Sequence, residues 1–150
     1  PFRDESFDAV ACLEVLEHVP NADQVMGEVF RVLKAGGTAY FSMPFLYPIH
    51  DAPYDYSRLT EHGWRERASR HGFHLESIVK RTHATRTAGL LGCLAISGAI
   101  ARLPAWRLAI FLPPAALAVL ALNCVAYLAS LVVPDWRGMG TGYELVLRKP

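Results

Sequence analysis

Three residues with chemically useful side chains lie close together near the start of the chain. Glu14, Glu17 and His18 form the pattern E-x-x-E-H, with spacings of three and four residues. On one turn of a helix, such spacings bring side chains to the same face. Two carboxylates and an imidazole on one face could bind a divalent ion, and this mixed set would suit Mg²⁺, Mn²⁺ or Zn²⁺. The pattern indicates either a metal site or a turn that binds no ion.

A second group of polar and aromatic side chains lies in a later loop, between Leu46 and Arg58. The loop holds three tyrosines, one histidine, two aspartates and two prolines. It could contact a bound ligand, or it could be a rigid surface loop held by its prolines and by hydrogen bonds from its tyrosines. The candidate ligand contacts are Tyr47, His50, Tyr54 and Tyr56.

Short periodic segments must position these residues. Phe7–Leu13 is a nearly continuous apolar run, which is typical of a parallel strand covered on both faces. A helix is predicted from about Ala22 to Lys34, with Asn21 as its N-cap and Gln24 in the capping-box position. Ala35-Gly36-Gly37 would end this helix, because glycine supplies the left-handed conformation common at helix ends.

The later segments continue an alternation of strands and helices. Strands are predicted at Thr38–Phe45, His74–Thr82 and Gly142–Lys149, and a helix runs from the N-cap Thr60 to about His71. This order favours an α/β domain with a mainly parallel sheet. In such sheets, ligands bind beyond the carboxyl ends of the strands. The E-x-x-E-H pattern, which follows the first strand, is therefore expected to lie at a ligand site.

The order of these motifs resembles a known family. Ser6–Val10 (SFDAV), Glu14–Val19 (EVLEHV) and Arg31–Gly37 (RVLKAGG) are similar to the middle of class I, Rossmann-like S-adenosylmethionine-dependent methyltransferases. The most similar group is the small-molecule group called type 11. Tyr56–Thr60 and Gly72-Phe73 fit the later part of the same domain. Each motif alone is unspecific, but their order is specific, and the resemblance covers residues 1 to about 82 and again 142–149.

This resemblance implies a partial Rossmann-like methyltransferase sheet with an inserted helical hairpin. The chain would supply strands four to seven of a seven-stranded sheet, with the last strand antiparallel. It begins without Met, and the glycine-rich cofactor loop and the acid that binds the ribose would precede Pro1. We therefore expect a fragment, inactive alone, of an enzyme whose cofactor is S-adenosylmethionine. No signal peptide is recognised, and a cytoplasmic location is expected.

The resemblance also implies roles for individual residues. Cys12, Leu13 and Glu14 are predicted to line the methionine and sulfonium part of the cofactor. His18 is the predicted catalytic base, because a hydroxyl acceptor must lose its proton, and the loop tyrosines with His50 would contact the acceptor. Some relatives bind a metal through a similar pattern with a later histidine. The implied metal ligands are Glu14, Glu17, His18 and His50, although we favour a site closed by EVLEHV without a metal.

The composition excludes some partners and locates an unusual segment. The net charge is +1 and 19% of residues are charged, so no nucleic acid partner is expected. The three cysteines lie far apart in apolar runs, which predicts buried thiols in a reducing compartment and neither a disulfide nor a structural zinc site. The hydrophobic fraction is 52%, and Arg102 and Arg107 are the only charged residues between Ala88 and Val133.

This apolar segment lies between two strands of one sheet. We predict residues 1–82 with 142–150 to be the methyltransferase part, and residues 83–141 to be an inserted helical hairpin that associates with a membrane. Ala88–Ala101 is too short to cross a bilayer comfortably, whereas Ala115–Val133 is long enough. The chain must return to the side it left, so a re-entrant or interfacial hairpin is preferred to two full spans. The alternative is a helical cap or a dimer surface that buries the same faces.

Two functions from different classes are consistent with this sequence. The first is methyl transfer from S-adenosylmethionine to a small, lipid-linked acceptor, at oxygen, by an enzyme peripherally or monotopically associated with the membrane. The second is a non-catalytic, membrane-docked binding module derived from a methyltransferase. A dehydrogenase with the same sheet is a third option, but EVLEHV and the antiparallel last strand count against it. The sequence does not determine the oligomeric state or the acceptor.

Overall fold

The chain folds into two compact units. A computed structural model describes residues 2–150. The sheet unit comprises Pro1–Arg81 and Thr141–Pro150, and the hairpin unit comprises Thr82–Gly140.

Four strands form the sheet of the sheet unit. They are β1 (Phe7–Leu13), β2 (Leu33–Pro44), β3 (His74–Arg81) and β4 (Gly142–Arg148), and they lie in the order β1-β2-β4-β3. β1 is parallel to β2, whereas β4 is antiparallel to both of its neighbours. The prediction of an α/β sheet with an antiparallel last strand is confirmed. β1, β2 and β3 run in one direction, so their carboxyl ends meet at the same edge of the sheet.

Two capped helices cover one face of this sheet. In α1 (Ala22–Val32), the Asn21 side chain accepts a hydrogen bond from the Gln24 N–H at 3.2 Å, and in α2 (Glu61–Arg70), the Thr60 hydroxyl accepts from the Gly63 N–H at 3.1 Å. Both predicted N-caps are therefore confirmed. Their apolar side chains and those of the covered face form one hydrophobic core, whose largest members are Met26, Phe41, Met43, Trp64, Leu145 and Leu147.

The predicted end of the first helix is wrong. α1 ends at Val32 and β2 begins at Leu33, so Gly36 and Gly37 lie within the strand and not at a helix end. Gly36 does adopt the left-handed conformation expected of it, with a φ of 75°. Its backbone N–H donates to the Lys149 carbonyl at 2.9 Å. The glycines therefore accommodate an irregular start of β2, where the pairing register with β1 shifts.

β1 is more exposed than its apolar sequence predicts. It is the edge strand and pairs only with β2. Successive side chains of a strand point to opposite faces, and α1 and α2 cover only one of them. Cys12 is buried on the covered face, whereas the side chain of Leu13 is exposed, as are Tyr40 and Val79. Within the described part of the sheet unit, the second face of the sheet is open.

The hairpin unit consists of two antiparallel apolar helices, α3 (Ala84–Ile100) and α4 (Ala105–Val132). α3 begins four residues before the predicted uncharged run, and Pro113 and Pro114 lie inside α4 without interrupting it. α4, with 28 residues, is long and apolar enough to cross a membrane, and α3 is a shorter apolar helix of 17 residues. Cys93 is buried as expected, but Cys124 on α4 is exposed, which contradicts the prediction that all three thiols are buried.

Candidate active site at the carboxyl ends of the strands

Glu14, the first residue after β1, is held in a tight network. Its backbone is in the left-handed region, with a φ of 54°, which is uncommon for a residue other than glycine. Its N–H donates to the carbonyl of Ser42 at 3.1 Å, and the Ser42 hydroxyl donates to Glu14 Oε1 at 2.6 Å. The Arg81 guanidinium lies 3.0 Å from the same oxygen. The Glu14 carboxylate is thus paired with a cation and fixed at the carboxyl ends of β1, β2 and β3.

The other two predicted cofactor contacts lie on opposite faces of β1. Cys12 is part of the hydrophobic core, and burial together with the nearby Glu17 carboxylate raises the pKa of its thiol to about 11. Leu13 is 54% exposed and, with Glu14, lines an open cavity of about 600 Å³ along the uncovered face of the sheet. The structure therefore brings Leu13 and Glu14 together at one cavity and separates Cys12 from them, because strand side chains alternate.

Glu17 is the most unusual carboxylate of the site. It lies in a short 3-10 helix, Leu16–His18, and its side chain is fully buried. Neither carboxylate oxygen has a hydrogen-bond partner within the described residues. Burial raises the pKa of Glu17, and the Glu14 carboxylate adds to this effect, whereas the nearby backbone N–H of Glu17 itself acts in the opposite direction. A buried, unpaired carboxylate is unfavourable unless it is protonated or meets a cation.

His18 is oriented by the loop that follows β2. Its Nδ1 lies 2.7 Å from the carbonyl oxygen of Tyr54, and a carbonyl can only accept, so Nδ1 carries the hydrogen. In the neutral ring, Nε2 is then the atom with a free lone pair. Nε2 lies 3.7 Å from Glu17 Oε1 and 4.0 Å from Asp51 Oδ2. The loop is also held from the other side, because the Tyr56 N–H donates to the Glu17 carbonyl at 2.7 Å.

His50 is held by a buried ion pair in the same loop. Its backbone N–H donates to Asp55 Oδ2 at 3.0 Å, and its ring lies edge-on to the ring of His18, with centroids 4.9 Å apart. Arg58 makes two contacts with the Asp55 carboxylate, one of them at 2.6 Å. The guanidinium holds the pKa of Asp55 well below its usual range, with a smaller contribution from the hydrogen bond that His50 donates. Asp55 therefore stays ionised and fixes the position of His50.

The three loop tyrosines are exposed and are placed differently from one another. Tyr47 lies edge-on to His50, with centroids 5.4 Å apart. Tyr47 and Tyr56 line a shallow cavity of about 280 Å³ together with Arg58. Tyr54 holds His18 through its carbonyl group, and its side chain is exposed. The four predicted acceptor contacts thus lie in one loop, and each is close to His18 or to the shallow cavity, Tyr54 through its carbonyl group.

Three of the four predicted metal ligands converge. One ligand atom from each of Glu17, His18 and His50 lies within 4.8 Å of the others. Glu14 is not in this group, because the segment forms a 3-10 helix only from Leu16, so the predicted helical turn that would align Glu14 with His18 does not form. Carboxylate and imidazole are suitable ligands for several divalent ions. The arrangement could bind a cation, or it could hold a protonated Glu17.

Sequence reasoning missed four residues of this site. Asp55 and Arg58 are three residues apart, and this charge spacing was a signal that could have identified their ion pair. Ser42 and Arg81 reach Glu14 from 28 and 67 residues away. No local pattern identifies such partners, because sheet pairing brings them together.

Comparison with known families supports one interpretation of this site. Residues 1–41 match a family model described as a methyltransferase domain, which confirms the resemblance to type 11 methyltransferases over that segment. The ubiquinone biosynthesis O-methyltransferase of Pseudomonas fluorescens (strain SBW25) is 53% identical over 38 residues, which are 25% of this chain. The matched part covers only 16% of that relative's length. The segment that matches the family model contains β1, the E-x-x-E-H pattern, α1 and the first part of β2.

Solved structures extend the similarity to the whole fold. Phosphoethanolamine N-methyltransferase 2 of Haemonchus contortus, solved with S-adenosyl-L-methionine, aligns with 100% of this chain and 35% of its own, at a TM-score of 0.53 and 17% identity. The cyclase SpnF aligns with 100% of this chain and 52% of its own, at a TM-score of 0.55 and 18% identity. At these identities the likeness concerns the fold alone. One fold carries both methyltransferases and a cyclase, so the function must be argued from the site.

Proposed function

We propose that the protein containing this chain is an S-adenosylmethionine-dependent methyltransferase that acts on a small-molecule acceptor. The single observation that carries the proposal is the position of His18. His18 lies within the segment matched by the methyltransferase family model, and its Nε2, the nitrogen that does not bond to Tyr54, lies beside a loop of exposed aromatic side chains. In an α/β sheet this edge is where ligands bind.

The residues present fit one side of the cofactor. Leu13 and Glu14 line the open cavity at the carboxyl end of β1, and Glu14 is immobilised by Ser42 and Arg81. When bound, S-adenosylmethionine supplies a methyl group on a positively charged sulfur. Because Arg81 already neutralises Glu14, we assign to this carboxylate a positioning role at the cofactor's methionine end. Cys12 supports the strand from within the core and does not contact the cofactor.

His18 is the group that removes the acceptor's proton. The hydrogen bond from Nδ1 to the Tyr54 carbonyl fixes the tautomer in which Nε2 accepts a proton. An acceptor hydroxyl must lose its proton as it attacks, which favours methyl transfer to oxygen. Holding the two reactants in line can itself lower the barrier by about 7–11 kcal/mol in favourable cases. Tyr47, Tyr56 and His50 would orient the acceptor, and the apolar hairpin in the same chain supports an acceptor linked to a lipid.

Calorimetry and kinetics on the complete protein test this proposal. S-adenosylhomocysteine should release or absorb heat on binding, and no heat at high ligand concentration would count against an enzyme that uses this cofactor. His18→Ala should lower kcat by about 10²–10⁴-fold, the usual contribution of a general base, with cofactor affinity nearly unchanged. His62→Ala, on the surface of α2, is the matched control. Equal activity of the two variants would remove the role of His18. Bound cofactor without turnover would favour the non-catalytic binding module.

The buried carboxylate of Glu17 favours an alternative to this base, a divalent cation bound at the same residues. Glu17, His18 and His50 offer one carboxylate and two imidazoles, and the unpaired oxygens of Glu17 would gain the cation that their burial requires. Asp55 and Arg58 would act behind the ligands, because they fix His50 through its backbone and ring. Because His18 Nε2 cannot bind a cation and accept a proton at once, the cation would replace His18 as the base: it would polarise the acceptor oxygen and lower the pKa of its hydroxyl.

Metal binding can be tested without measuring turnover. Titration of the complete, chelator-treated protein with Mn²⁺, followed by electron paramagnetic resonance, should show one site. Glu17→Gln should weaken binding by at least about 10-fold, as loss of a ligand does more than loss of a supporting residue. Glu14→Gln is the matched control and should bind normally, since Glu14 lies outside the cluster. Equal effects of the two substitutions, or no binding by the unchanged protein, would contradict the cation.

A further inference from the structure

The outer surface of the hairpin unit is apolar on nearly every side of α4. Large side chains that are more than half exposed occur along its whole length and on successive turns, at Ile110, Leu117, Leu120, Val125, Leu128 and Leu131. None of the most apolar 18-residue window of α4 is buried inside the molecule. A helix that is hydrophobic all round is either a core helix or a membrane span, and α4 is not in a core.

This distribution excludes a helix that lies flat at the membrane surface. An interfacial helix needs a wide polar face toward water and an apolar face toward the lipid tails. Between Leu108 and Val132 the polar side chains of α4 turn toward its partner helix. Asn123 donates to Cys93 Sγ and to the Val119 carbonyl, and Ser130 pairs with Arg86 of α3. No polar stripe remains for the aqueous side.

The packing between α3 and α4 is of the close kind found between helices in membranes. A Cβ atom added to Gly89 would lie 2.6 Å from Cβ of Ala126, and one added to Gly92 would lie 2.6 Å from Leu122. Small residues on one face let two backbones approach closely, which replaces the hydrophobic driving force that lipid does not provide. Polar groups are satisfied within the pair, as Thr85 donates to the Ala126 carbonyl.

The two ends of the hairpin carry the residues that favour a membrane–water interface. At the turn between the helices are Arg102, Trp106 and Arg107, and at the open end are Arg86, Trp136 and Arg137. α3 has 17 residues, about 25 Å at 1.5 Å per residue, and arginine side chains at both ends can extend toward the headgroups of a core about 30 Å thick. The longer α4, with 28 residues, can tilt.

We propose that the α3–α4 hairpin crosses a lipid bilayer twice, with its turn on one side and both chain ends on the other. A re-entrant hairpin would place Arg102 and Arg107 among the lipid tails, which is unfavourable for charged side chains. An even number of crossings is required, since Arg81 and Gly142, at the two ends of the insertion, are paired in the sheet. The open end, flanked by Lys80, Arg81, Arg86 and Arg137, is the more basic and faces the cytoplasm.

This topology is independent of the methyltransferase proposal, and labelling of the complete protein in membrane vesicles tests it. Arg102→Cys and Arg137→Cys form a matched pair, because each replaces an exposed arginine at one end of the hairpin. A membrane-impermeant maleimide should label Arg102→Cys only from the non-cytoplasmic side and Arg137→Cys only from the cytoplasmic side. The native Cys124, exposed on α4, should react only after detergent is added.

Each other outcome overturns the double crossing. Labelling of both variants from one side would indicate a re-entrant or interfacial hairpin. Reaction of Cys124 without detergent, or recovery of the protein in the carbonate-soluble fraction, would indicate a water-exposed or protein-covered surface, including a second copy of this chain. The thiols of Cys12 and Cys93 are buried and should stay silent in all intact samples.

A second pair of variants measures depth. Leu120→Arg places a charge on the outer surface in the middle of α4, and Val132→Arg places the same charge at its end. Leu120→Arg should lower the ratio of inserted to non-inserted protein by roughly 100-fold, whereas Val132→Arg should change it by less than about threefold. Equal, small effects of the two substitutions would overturn the proposal, since an aqueous surface tolerates arginine at both positions.

Discussion

The candidate site and the hairpin depart from the usual distribution of polar and apolar groups in opposite directions. Glu17 buries a carboxylate whose oxygens accept no hydrogen bond within residues 2–150, in a unit where Glu14 and Asp55 are each paired with an arginine. α4 exposes large apolar side chains along its length, in a unit where Thr85 and Asn123 bond within the helix pair. Both features are unfavourable for an isolated chain in water.

The difference between the two regions shows what each one needs. The unpaired carboxylate requires a proton or a cation, which is a small and chemically specific partner. The apolar surface requires an extended partner without fixed directions of contact, for which a bilayer is suited. Loss of the partner should therefore affect the two regions differently. At the site, stability should depend on pH and on added metal, whereas the hairpin should determine whether the protein is soluble.

The strongest way to separate the two regions is to remove the hairpin. Arg81 and Gly142 are paired, and the Thr141 N–H donates to the Arg81 carbonyl at 3.1 Å, so an Asn-Gly turn should connect β3 directly to β4. We expect the complete protein without residues 82–141 to move almost entirely from the membrane pellet to the supernatant, as judged by fractionation. If the shortened protein stays in the pellet although it is folded by circular dichroism, another segment holds it there.

A smaller effect is expected from a single methyl group between the two helices. Gly89→Ala would force α3 and α4 apart, because the added Cβ would lie 2.6 Å from Ala126, and overpacking of this kind costs about 1–3 kcal/mol. Gly98→Ala is the control on the same helix, since no atom lies within 4 Å of its added Cβ. Thermal unfolding in detergent should show a lower Tm for Gly89→Ala only. A raised Tm for Gly89→Ala would contradict the close packing.

The pH dependence of stability tests whether the buried Glu17 carboxyl group is protonated in the folded protein. Burial raises its pKa above 4.5, so the folded state keeps the proton at pH values at which the unfolded state has lost it. In chelator-treated protein, the free energy of unfolding should therefore fall as the pH rises above about 4.5, by up to about 1.4 kcal/mol per pH unit, until the folded-state pKa is passed. Denaturant titrations between pH 4 and 8 measure this.

Glu17→Gln is the control for that measurement, because it cannot ionise and should remove the extra slope. Mn²⁺ should restore stability at neutral pH in the unchanged protein and have little effect on Glu17→Gln. An unchanged slope in the variant would show that another group causes the pH dependence.

The smallest effect on stability is expected when the hydrogen bond from Ser42 to Glu14 is removed. Ser42→Ala removes the hydroxyl that donates to the Glu14 carboxylate at 2.6 Å. Since Arg81 remains as a partner and the carboxylate is partly exposed, stability should fall by only about 0.5–1.5 kcal/mol. The affinity for S-adenosylhomocysteine should fall more clearly if Glu14 positions the cofactor. Unchanged affinity would indicate that this hydrogen bond stabilises only the backbone turn at Glu14 and does not contribute to cofactor binding.

Most of the fold was predictable because its signals are local. Asn21 and Thr60 marked the helix starts through their capping side chains, and both caps are present. The end of α1 was mispredicted, because Gly36 supplies the same left-handed conformation to a helix end and to an irregular strand. The exposure of β1 could not be read from its apolar residues, which do not report how many faces are covered.

The site was predictable only where its residues are neighbours in sequence. Glu17 and His18 were identified from their spacing, and His50 from a resemblance to relatives. The separation of Glu14 from this cluster was not predictable, because it depends on one backbone angle and on Arg81, which is distant in sequence. Local patterns thus identified which side chains carry chemistry, whereas their grouping required the folded sheet.

The position of β4 has a consequence for how the chain matures. β4 is synthesised after β1, β2 and β3, yet it lies between β2 and β3, and it is the strand with which β3 pairs. During translation β3 therefore stays unpaired until α3, α4 and β4 have all left the ribosome. For a hairpin that enters lipid, insertion precedes closure of the sheet. A chain stalled between the two steps would expose an unpaired strand edge beside a membrane, where a chaperone or a protease can recognise it.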